Sequence, residues 1–179
     1  MGMDVSGNNP TDETGEYFRN SIWWWWHPLA DYCAAIAPDI ASRCQDWHHN
    51  DGDGLGSDDS RALADVLQRE INSGRCEAYA KIREAELATL PNRLCDYCAG
   101  AGELTTQHIK LIEERRATFV IGSVDEFFGL MHKFRVGEKC PCCKGTGSLE
   151  PRARSYPFSV ENVQGFAAFL RSCGGFRIC

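Results

Sequence analysis

Two cysteine motifs of the same form constrain the fold of this chain more than any other feature of its sequence. CDYCAGAG at 95–102 and CPCCKGTG at 140–147 both fit the formula C-x-x-C-x-G-x-G. Two thiolates at this spacing can bind one metal ion when the backbone between them turns tightly, and zinc takes four such ligands in a tetrahedron. The motifs therefore predict one closed zinc site. Its predicted ligands are Cys95, Cys98, Cys140 and Cys143.

The glycines and the remaining thiol of these motifs have separate predicted roles. Glycine lets the backbone fold over the sulfurs, with amide N–H groups directed at them and positive φ where needed. Cys142 is an alternative ligand to Cys143, although the formula favours Cys143. Four thiolates leave no position for water or substrate, so the site is expected to stabilise the fold rather than to catalyse a reaction.

The paired motifs resemble the cysteine-rich zinc module of DnaJ-type chaperones. The resemblance covers the two eight-residue stretches alone, and residues 99–139 separate the two cysteine pairs. The DnaJ module has four copies of the motif and two zinc ions, whereas this chain has two copies and no J-domain His-Pro-Asp signature. The resemblance thus implies zinc and a pair of zinc-clasped hairpins, but not co-chaperone activity.

Size, charge and cysteine use narrow the class of protein. The chain has 179 residues, enough for one domain or for one domain plus a small module, and with 43% hydrophobic and 25% charged residues it has the composition of an ordinary globular protein. Its net charge of −6 argues against sequence-independent binding to nucleic acid, which needs a basic surface. No apolar run approaches the roughly 20 residues of a transmembrane helix, and the polar start of the chain is unlike a signal peptide. We therefore expect a cytoplasmic protein with no membrane contact, whose 10 cysteines serve metal binding and burial.

Hydrophobic periodicity predicts a helix-rich α+β protein, a single domain with a zinc-clasped module. Residues 1–16 are polar and are expected to form a flexible tail, and 17–92 a helical region. Residues 93–150 are the predicted zinc module with inserted helices. Residues 151–179 are expected to contain a C-terminal helix that packs back on the core, followed by an extended end.

Individual helix ends are also predicted. Pro28 suits the first turn of a helix, and Gly74 the stop after another. Ser159 is the expected N-cap of the C-terminal helix. Between the cysteine pairs, FVIG at 119–122 has the pattern of a strand. Ser123 and Glu126 have capping-box spacing before a further helix.

Four consecutive tryptophans, Trp23, Trp24, Trp25 and Trp26, precede His27 and Pro28. One face of a helix or strand cannot hide all four, so at least one is expected outside the main core. One interpretation is that all four are sandwiched between the helical body and the zinc module. Another is that one or two anchor a protein partner, since tryptophan is a favoured interface residue. A third is a stacking platform for a base or nucleotide.

An acidic loop, HHNDGDGLGSDD at 48–59, gathers groups that could hold a hard cation. It fits the calcium-loop formula poorly, because His49 and Ser60 occupy the first and last ligand positions. The favoured interpretation is an acidic turn before a helix, capped by Ser57 or Asp58. The alternative is a metal-dependent enzyme that uses the His48–Asp59 loop, including Asp51 and Asp53.

Basic residues lie around the second cysteine pair, and zinc modules with a basic rim often contact nucleic acid. The candidate rim consists of Lys139, Lys144, Arg152 and Arg154. It favours nucleic-acid or nucleotide binding as the second functional hypothesis, although the acidic balance of the whole chain argues against it.

Most of the chain resembles small uncharacterised proteins of bacteria, prophages and phages. The resemblance rests on the tryptophan run followed by His-Pro-Leu, on NDGDGL before ALADVLQ, on the paired cysteine motifs and on PFSVENVQGFAAFLRSCGGFRI. It implies a cytosolic accessory protein that a phage uses against host immunity. The favoured function is thus non-enzymatic binding to a surface of a larger protein partner, such as a host defence complex.

Overall fold

The computed structural model describes residues 2–19, 23–117 and 133–179, and the side chains of these except residues 23 and 115–117. The protein mixes helices and sheets. The described α-helices are α1 (Trp23–Ile36), α2 (Pro38–Ala41), α3 (Ser57–Asn72), α4 (Arg75–Thr89), α5 (Thr106–Ala117) and α6 (Val160–Ser172). The described strands are β1 (Val5–Gly7), β2 (Gly54–Leu55), β3 (Arg93–Leu94), β4 (Ser148–Leu149) and β5 (Phe176–Ile178).

The chain folds into two compact units, where the sequence predicted a single domain that includes a zinc-clasped module. The main unit contains Met1–Thr89 and Arg152–Cys179, and the cysteine unit contains Leu90–Pro151. Each unit has its own cluster of buried side chains. The limits of the cysteine unit lie close to the predicted module at 93–150, because the cysteine pairs and the chain that links them share one small core.

The core of the main unit is built on α3 and α6. Apolar residues recur along α6 at helical spacing, so one face of the helix is buried. Phe166 on that face contacts Phe18, with ring centroids 5.0 Å apart, and meets Trp26 edge-on at 5.4 Å. The hydroxyl of Ser159 accepts a hydrogen bond from the N–H of Asn162 at 3.1 Å, which confirms the predicted N-cap.

A three-stranded antiparallel sheet closes the main unit, and β5 lies between β1 and β2. Val5 pairs with Ile178, and both side chains are fully buried. The prediction of a flexible tail over 1–16 is therefore wrong. Met3 and Val5 alternate with polar neighbours, so one side of a very short strand is apolar and packs into the core.

Several helix ends differ from the prediction. Helix α1 begins at Trp23, so Pro28 lies inside it and not in its first turn. The missing N–H of Pro28 leaves the carbonyl of Trp24 without its helical donor. The N-cap of α3 is Gly56, with no side-chain cap, and Ser57 and Asp58 fall within the first turn. Gly74, with φ of +74°, follows α3 as predicted.

Some predictions concern residues that the structure does not describe. The strand expected at 119–122 and the capping box of Ser123 and Glu126 lie outside the described residues, as does most of the helix expected after them. Among the helices that are described, none combines the length and apolar character needed to cross a bilayer.

Candidate metal centre

The four predicted ligand cysteines meet in the core of the cysteine unit. Their sulfur atoms all lie within 4.8 Å of one another, and all four side chains are buried. The Sγ atoms of Cys95 and Cys140 are 3.8 Å apart, and those of Cys98 and Cys143 are 3.7 Å apart. A tetrahedral zinc ion with Zn–S distances of about 2.3 Å requires sulfurs about 3.8 Å apart. The two cross-motif distances therefore fit the edges of such a tetrahedron.

Each motif folds into a knuckle that directs backbone N–H groups at its second sulfur. The N–H of Gly102 donates to Sγ of Cys98 at 3.3 Å, and the N–H of Gly147 donates to Sγ of Cys143 at 3.2 Å. Both glycines have positive φ, +76° and +75°. An L-residue adopts this conformation at a cost, so the motif requires glycine here. These N–H···S bonds stabilise negative charge on the sulfurs.

The two knuckles are related by a local two-fold pattern in which equivalent residues lie 45 positions apart. The N–H of Cys95 donates to the carbonyl of Gly147 at 2.9 Å. Its counterpart is the N–H of Cys140, which donates to the carbonyl of Gly102 at 2.7 Å. Each knuckle therefore donates one backbone hydrogen bond to the other. These bonds, as well as any bound ion, bring the cysteines of the two motifs together.

The same pattern extends into the chain on either side of the knuckles. Leu94 pairs with Ser148 where β3 meets β4, and Glu103 forms an antiparallel bridge with Lys139. The two pairs are equivalent, because Lys139 lies 45 positions after Leu94 and Ser148 lies 45 positions after Glu103. The side chain of Leu94 lies against Gly100 on the first knuckle. The methylene stem of Lys139 takes the equivalent place against Gly145 on the second knuckle.

Two thiols of the cluster, Cys143 and Cys140, differ in how readily they ionise. Burial opposes ionisation of Cys143, but hydrogen bonds from the backbone of Gly147 and Gly145 outweigh it and lower the pKa of this thiol to about 6. Burial raises the pKa of Cys140 to about 12. Four thiolates at these distances repel one another, and a cation at the centre removes that conflict. The donor set therefore fits a divalent metal ion, and its closed, all-sulfur character suits a structural role.

The structure separates the four tryptophans of the run. Trp26 is fully buried, and its indole N–H donates to the carbonyl of Trp47 at 2.6 Å. The assignment of Trp26 to a partner surface is therefore wrong, because successive residues of α1 point in different directions and this one faces the core. Trp24 is 46% exposed and Trp25 is half-buried. The side chain of Trp23 lies outside the described residues.

The acidic loop does not form one site from its predicted members. Asp53 organises the loop backbone, since its carboxylate accepts N–H bonds from Gln45 at 2.6 Å, Asp46 at 3.1 Å and Gly54 at 2.7 Å. Burial alone would raise the pKa of Asp53, but these bonds hold it below its ordinary value. The role of Asp53 is therefore to hold the backbone of the loop in place.

Two other groups of residues lie near this loop. One ligand atom each from Asp46, His49 and Asp51 can come within 4.8 Å of the others, but His49 and Asp51 are exposed, and such groups are common without a metal. His48 points elsewhere, and its Nδ1 lies 2.6 Å from Nδ1 of His27. The candidate ligands of the predicted loop therefore lie in two groups. His49 and Asp51 lie with Asp46, and His48 lies with His27.

The contact between His27 and His48 was missed by sequence reasoning. Nε2 of His48 also lies 3.3 Å from the carboxylate of Asp31, so the three side chains form a chain of polar contacts. Burial, and then the charge of His48, lower the pKa of His27. His27 and Asp31 stand four residues apart on α1, a helical neighbour spacing that the sequence does contain, but His48 has no local relation to them.

The four residues of the candidate basic rim are divided between the units. Lys139 and Lys144 belong to the cysteine unit, whereas Arg152 and Arg154 belong to the main unit. The guanidinium of Arg154 donates to the carbonyls of Leu87 and Ala88, both at 3.0 Å. Arg154 therefore fastens the chain after β4 to the end of α4.

No family model, curated protein or solved structure matches this chain. Its class is accordingly defined by its own geometry. It is a two-unit protein of mixed α and β structure, whose smaller unit gathers four buried thiols at distances compatible with a metal ion.

Proposed function

We propose that this protein is a zinc-stabilised binding protein that has no catalytic reaction of its own and occupies a surface of a larger protein partner. The observation that carries the proposal is the buried cluster of four thiols, with cross-motif sulfur distances of 3.8 and 3.7 Å. Zinc bound there would have four protein ligands and no free position for water or substrate. The centre would then hold a surface in shape for a partner.

The small core of the cysteine unit supports a stabilising role for the ion. Besides the four cysteines, the buried residues described in this core are Leu104 and Ile112, with Ile109, Phe134 and Leu149 partly buried against them. Within the part of the unit that the structure describes, these are few apolar side chains around the four thiols. Metal binding to four thiolates would add folding free energy to this core.

Metal analysis tests the first half of the proposal. Purified protein is expected to contain one zinc ion per chain by elemental mass spectrometry, and Cys95→Ser is expected to lose most of it, because a tetrathiolate site with three thiolates binds zinc less tightly. Cys44→Ser is the control, since Cys44 is buried in the core of the main unit. Iron with the absorption of an iron–sulfur cluster, or no metal at all, would contradict a zinc centre.

The first knuckle carries an exposed apolar surface, which we define as Leu94 and Tyr97. Leu94 is 70% exposed and Tyr97 is 39% exposed, although both belong to the segment that the thiol cluster fixes. Large apolar and aromatic side chains held in a rigid surface are favoured anchors for protein partners. The cysteine unit carries eight basic and eight acidic residues, so it has no excess positive charge for nucleic acid. A protein partner is therefore favoured over nucleic acid.

Trp24 is a second candidate anchor, and it lies on the main unit. It is the exposed member of the tryptophan run among the side chains described. Tryptophan is enriched at interface hot spots, where its loss costs about 2 kcal/mol or more of binding free energy. Of the four tryptophans predicted to contact a partner, the structure favours this one.

The resemblance to small bacterial and phage proteins motivates the choice of partner. We propose a cytoplasmic bacterial protein complex, in particular a host defence complex, as the target. Zinc-loaded protein immobilised on beads is expected to retain one defined complex from a bacterial lysate. Leu94→Asp and Trp24→Ala should each reduce that retention at unchanged zinc content, because each removes an exposed anchor.

The matched control for the binding experiment is Ile82→Asp, which changes a side chain that is 59% exposed on α4 of the main unit. Retention that all three variants leave unchanged would exclude these anchors. Retention of DNA or RNA that falls steeply with salt would instead support the nucleic-acid hypothesis. Loss of a measured catalytic turnover in Asp51→Ala, with folding intact, would support the enzyme hypothesis.

A further inference from the structure

Two histidines that are 21 positions apart in the chain face each other with the same ring nitrogen. Nδ1 of His27, on α1, lies 2.6 Å from Nδ1 of His48, in the loop between α2 and β2. Their ring centroids are 4.7 Å apart and the ring planes are inclined by 47°, so the two rings are not stacked face to face. The contact is therefore made by the two nitrogens, and their short separation needs a chemical explanation.

The carboxylate of Asp31 sets the position of a proton on one of these rings. It lies 3.3 Å from Nε2 of His48, the ring nitrogen that does not face His27. A carboxylate at this distance favours an N–H on Nε2, so Nδ1 of the neutral ring carries a lone pair. Two nitrogen lone pairs at 2.6 Å would repel each other. A proton or a metal cation must therefore lie between the two Nδ1 atoms.

The tryptophans next to the two histidines in the chain hold them in place. Trp26 and Trp47 are both buried, and their rings stack with centroids 6.0 Å apart. The indole N–H of Trp26 donates to the carbonyl of Trp47 at 2.6 Å, and the indole N–H of Trp47 donates to the carbonyl of Ala41 at 2.9 Å. Core contacts thus bring the two imidazoles together, which is the rigid support that a metal site needs.

We propose that His27 and His48 form a second metal site, which binds a divalent transition-metal ion such as Ni²⁺ or Cu²⁺ through the two Nδ1 atoms. Asp31 would orient His48 without contacting the ion, as carboxylates commonly do for metal-bound histidines. The site lies within the main unit, so it does not depend on the zinc centre of the proposed function. The side chain of His48 is 44% exposed, so water can reach the site and complete the coordination of the ion.

The distance between the two nitrogens favours some cations over others. With metal–nitrogen bonds of about 2.0–2.1 Å, two ligands at a tetrahedral angle are about 3.3 Å apart, and two ligands at a right angle are about 2.9 Å apart. The separation of 2.6 Å is closer to the right-angle value. Tetragonal Cu²⁺ and Ni²⁺ have right-angle coordination, and both suit imidazole ligands. Zinc prefers a tetrahedron, so the rings would have to move apart further to bind it.

Calorimetric titration of the purified, untagged protein with Ni²⁺ tests the site. Wild-type protein is expected to bind an ion that His27→Gln and His48→Gln each bind at least about 10-fold more weakly, because each variant keeps one imidazole of the pair. Asp31→Asn should weaken binding about 10-fold, the lower end of the usual cost of removing a group that supports a ligand. All of these variants retain the four thiols, so any nickel bound there contributes equally to each titration.

His49→Gln is the matched control, because His49 lies with Asp46 and Asp51 in the neighbouring group of potential ligands. It should bind Ni²⁺ as wild type does. Wild-type affinity in folded His27→Gln or His48→Gln would overturn the proposal and leave a hydrogen bond between the two rings. Loss of binding in His49→Gln alone would place the ion in the neighbouring group and overturn it as well.

Asp31→Asn keeps the site testable if a histidine variant does not fold. The side chain of Asp31 is 58% exposed, and the change leaves both imidazoles in place. Weaker nickel binding by this variant, with an unchanged thermal melt in the absence of nickel, would support the site. Wild-type affinity in Asp31→Asn would overturn the arrangement in which Asp31 orients a metal-bound His48.

Discussion

At the residue scale, Gly147 stands where the backbones of the two knuckles lie against each other. A Cβ atom at this position would lie 2.2 Å from the carbonyl oxygen of Gly100, far inside van der Waals contact. Its N–H also donates to the sulfur of Cys143. Position 147 therefore has no room for a side chain, and its N–H must stay directed at the sulfur. Its positive φ also favours glycine.

Gly147→Ala is expected to weaken zinc binding by about 10- to 100-fold, because the displaced backbone loses its bond to a ligand sulfur. Zinc affinity is measured by competition with a chelator. The control is Gly137→Ala in the same unit, at φ of +82° but with no atom within 4 Å of the added Cβ. It should cost about 1–2 kcal/mol of stability through φ alone. If Gly137→Ala lowered zinc affinity as much as Gly147→Ala does, the close approach of Gly147 to Gly100 would be unimportant for zinc binding.

His27 is expected to give the main unit a pH-dependent stability. Burial and the charge of His48 lower its pKa below 6.5, so the folded protein binds fewer protons at this group than the unfolded protein does. The stability associated with neutral His27 is therefore complete above about pH 6.5, and it is lost as the pH falls towards the lower, folded-state pKa.

Thermal melts followed by tryptophan fluorescence between about pH 5 and 8 test this dependence, since histidine titrates in that range. His27→Gln should flatten the profile, whereas His108→Gln, in the cysteine unit, should leave it unchanged. Asp31, His48 and His49 also act on His27, and all three remain in the variant. A wild-type slope in His27→Gln would assign the pH dependence to those neighbours.

At the scale of elements, β1 is the one whose contribution is least apparent from its length. Its three residues pair with β5, and Met3, just before it, is 1% exposed. Met3→Ala is expected to cost about 2–5 kcal/mol, the usual range for a large side chain removed from a core. Urea unfolding monitored by tryptophan fluorescence measures the loss.

Glu13→Ala is the control for β1, because Glu13 lies in the same N-terminal segment but is exposed. A change of less than about 0.5 kcal/mol is expected for such a surface site. If Met3→Ala were equally mild, the N-terminal segment would not be part of the core, and the paired arrangement of β1 and β5 would contribute little to stability.

The elements also show which features a sequence can predict. The knuckles were predictable because ligand spacing and the glycines that permit the turn are written in eight consecutive residues. The cap at Ser159 and the stop at Gly74 are local in the same sense. Strand β1 was not predictable, since its partner lies at the other end of the chain and its polar neighbours resemble a tail. The approach of His48 to His27 depends on the tertiary fold in the same way.

At the scale of the whole molecule, the two units have separate clusters of buried side chains. The main unit buries a large aromatic cluster, whereas the described core of the cysteine unit consists mainly of the thiols. All five tryptophans belong to Met1–Thr89 of the main unit. Tryptophan emission therefore reports on the main unit alone, and a second probe is needed for the other.

Metal removal is expected to unfold the cysteine unit selectively. On the proposed zinc centre, a chelator should make Leu90–Pro151 sensitive to limited proteolysis, because the folding free energy contributed by metal binding is lost. The melting temperature followed by tryptophan emission should change little, since the main unit retains its own core. Added zinc should restore protection. A large fall in the tryptophan-detected melting temperature would show instead that the two units unfold together.

The bridge between Glu103 and Lys139 has a consequence for how the chain between the knuckles can vary. The N–H of Leu104 donates to the carbonyl of Glu138 at 2.9 Å, and the N–H of Gly137 donates to the carbonyl of Leu104 at 2.8 Å. The intervening segment thus departs and returns at neighbouring points. Because closure entropy grows only slowly with length, a change in the length of this segment would cost the knuckles little, provided that Ile109, Ile112 and Phe134 of the small core are kept.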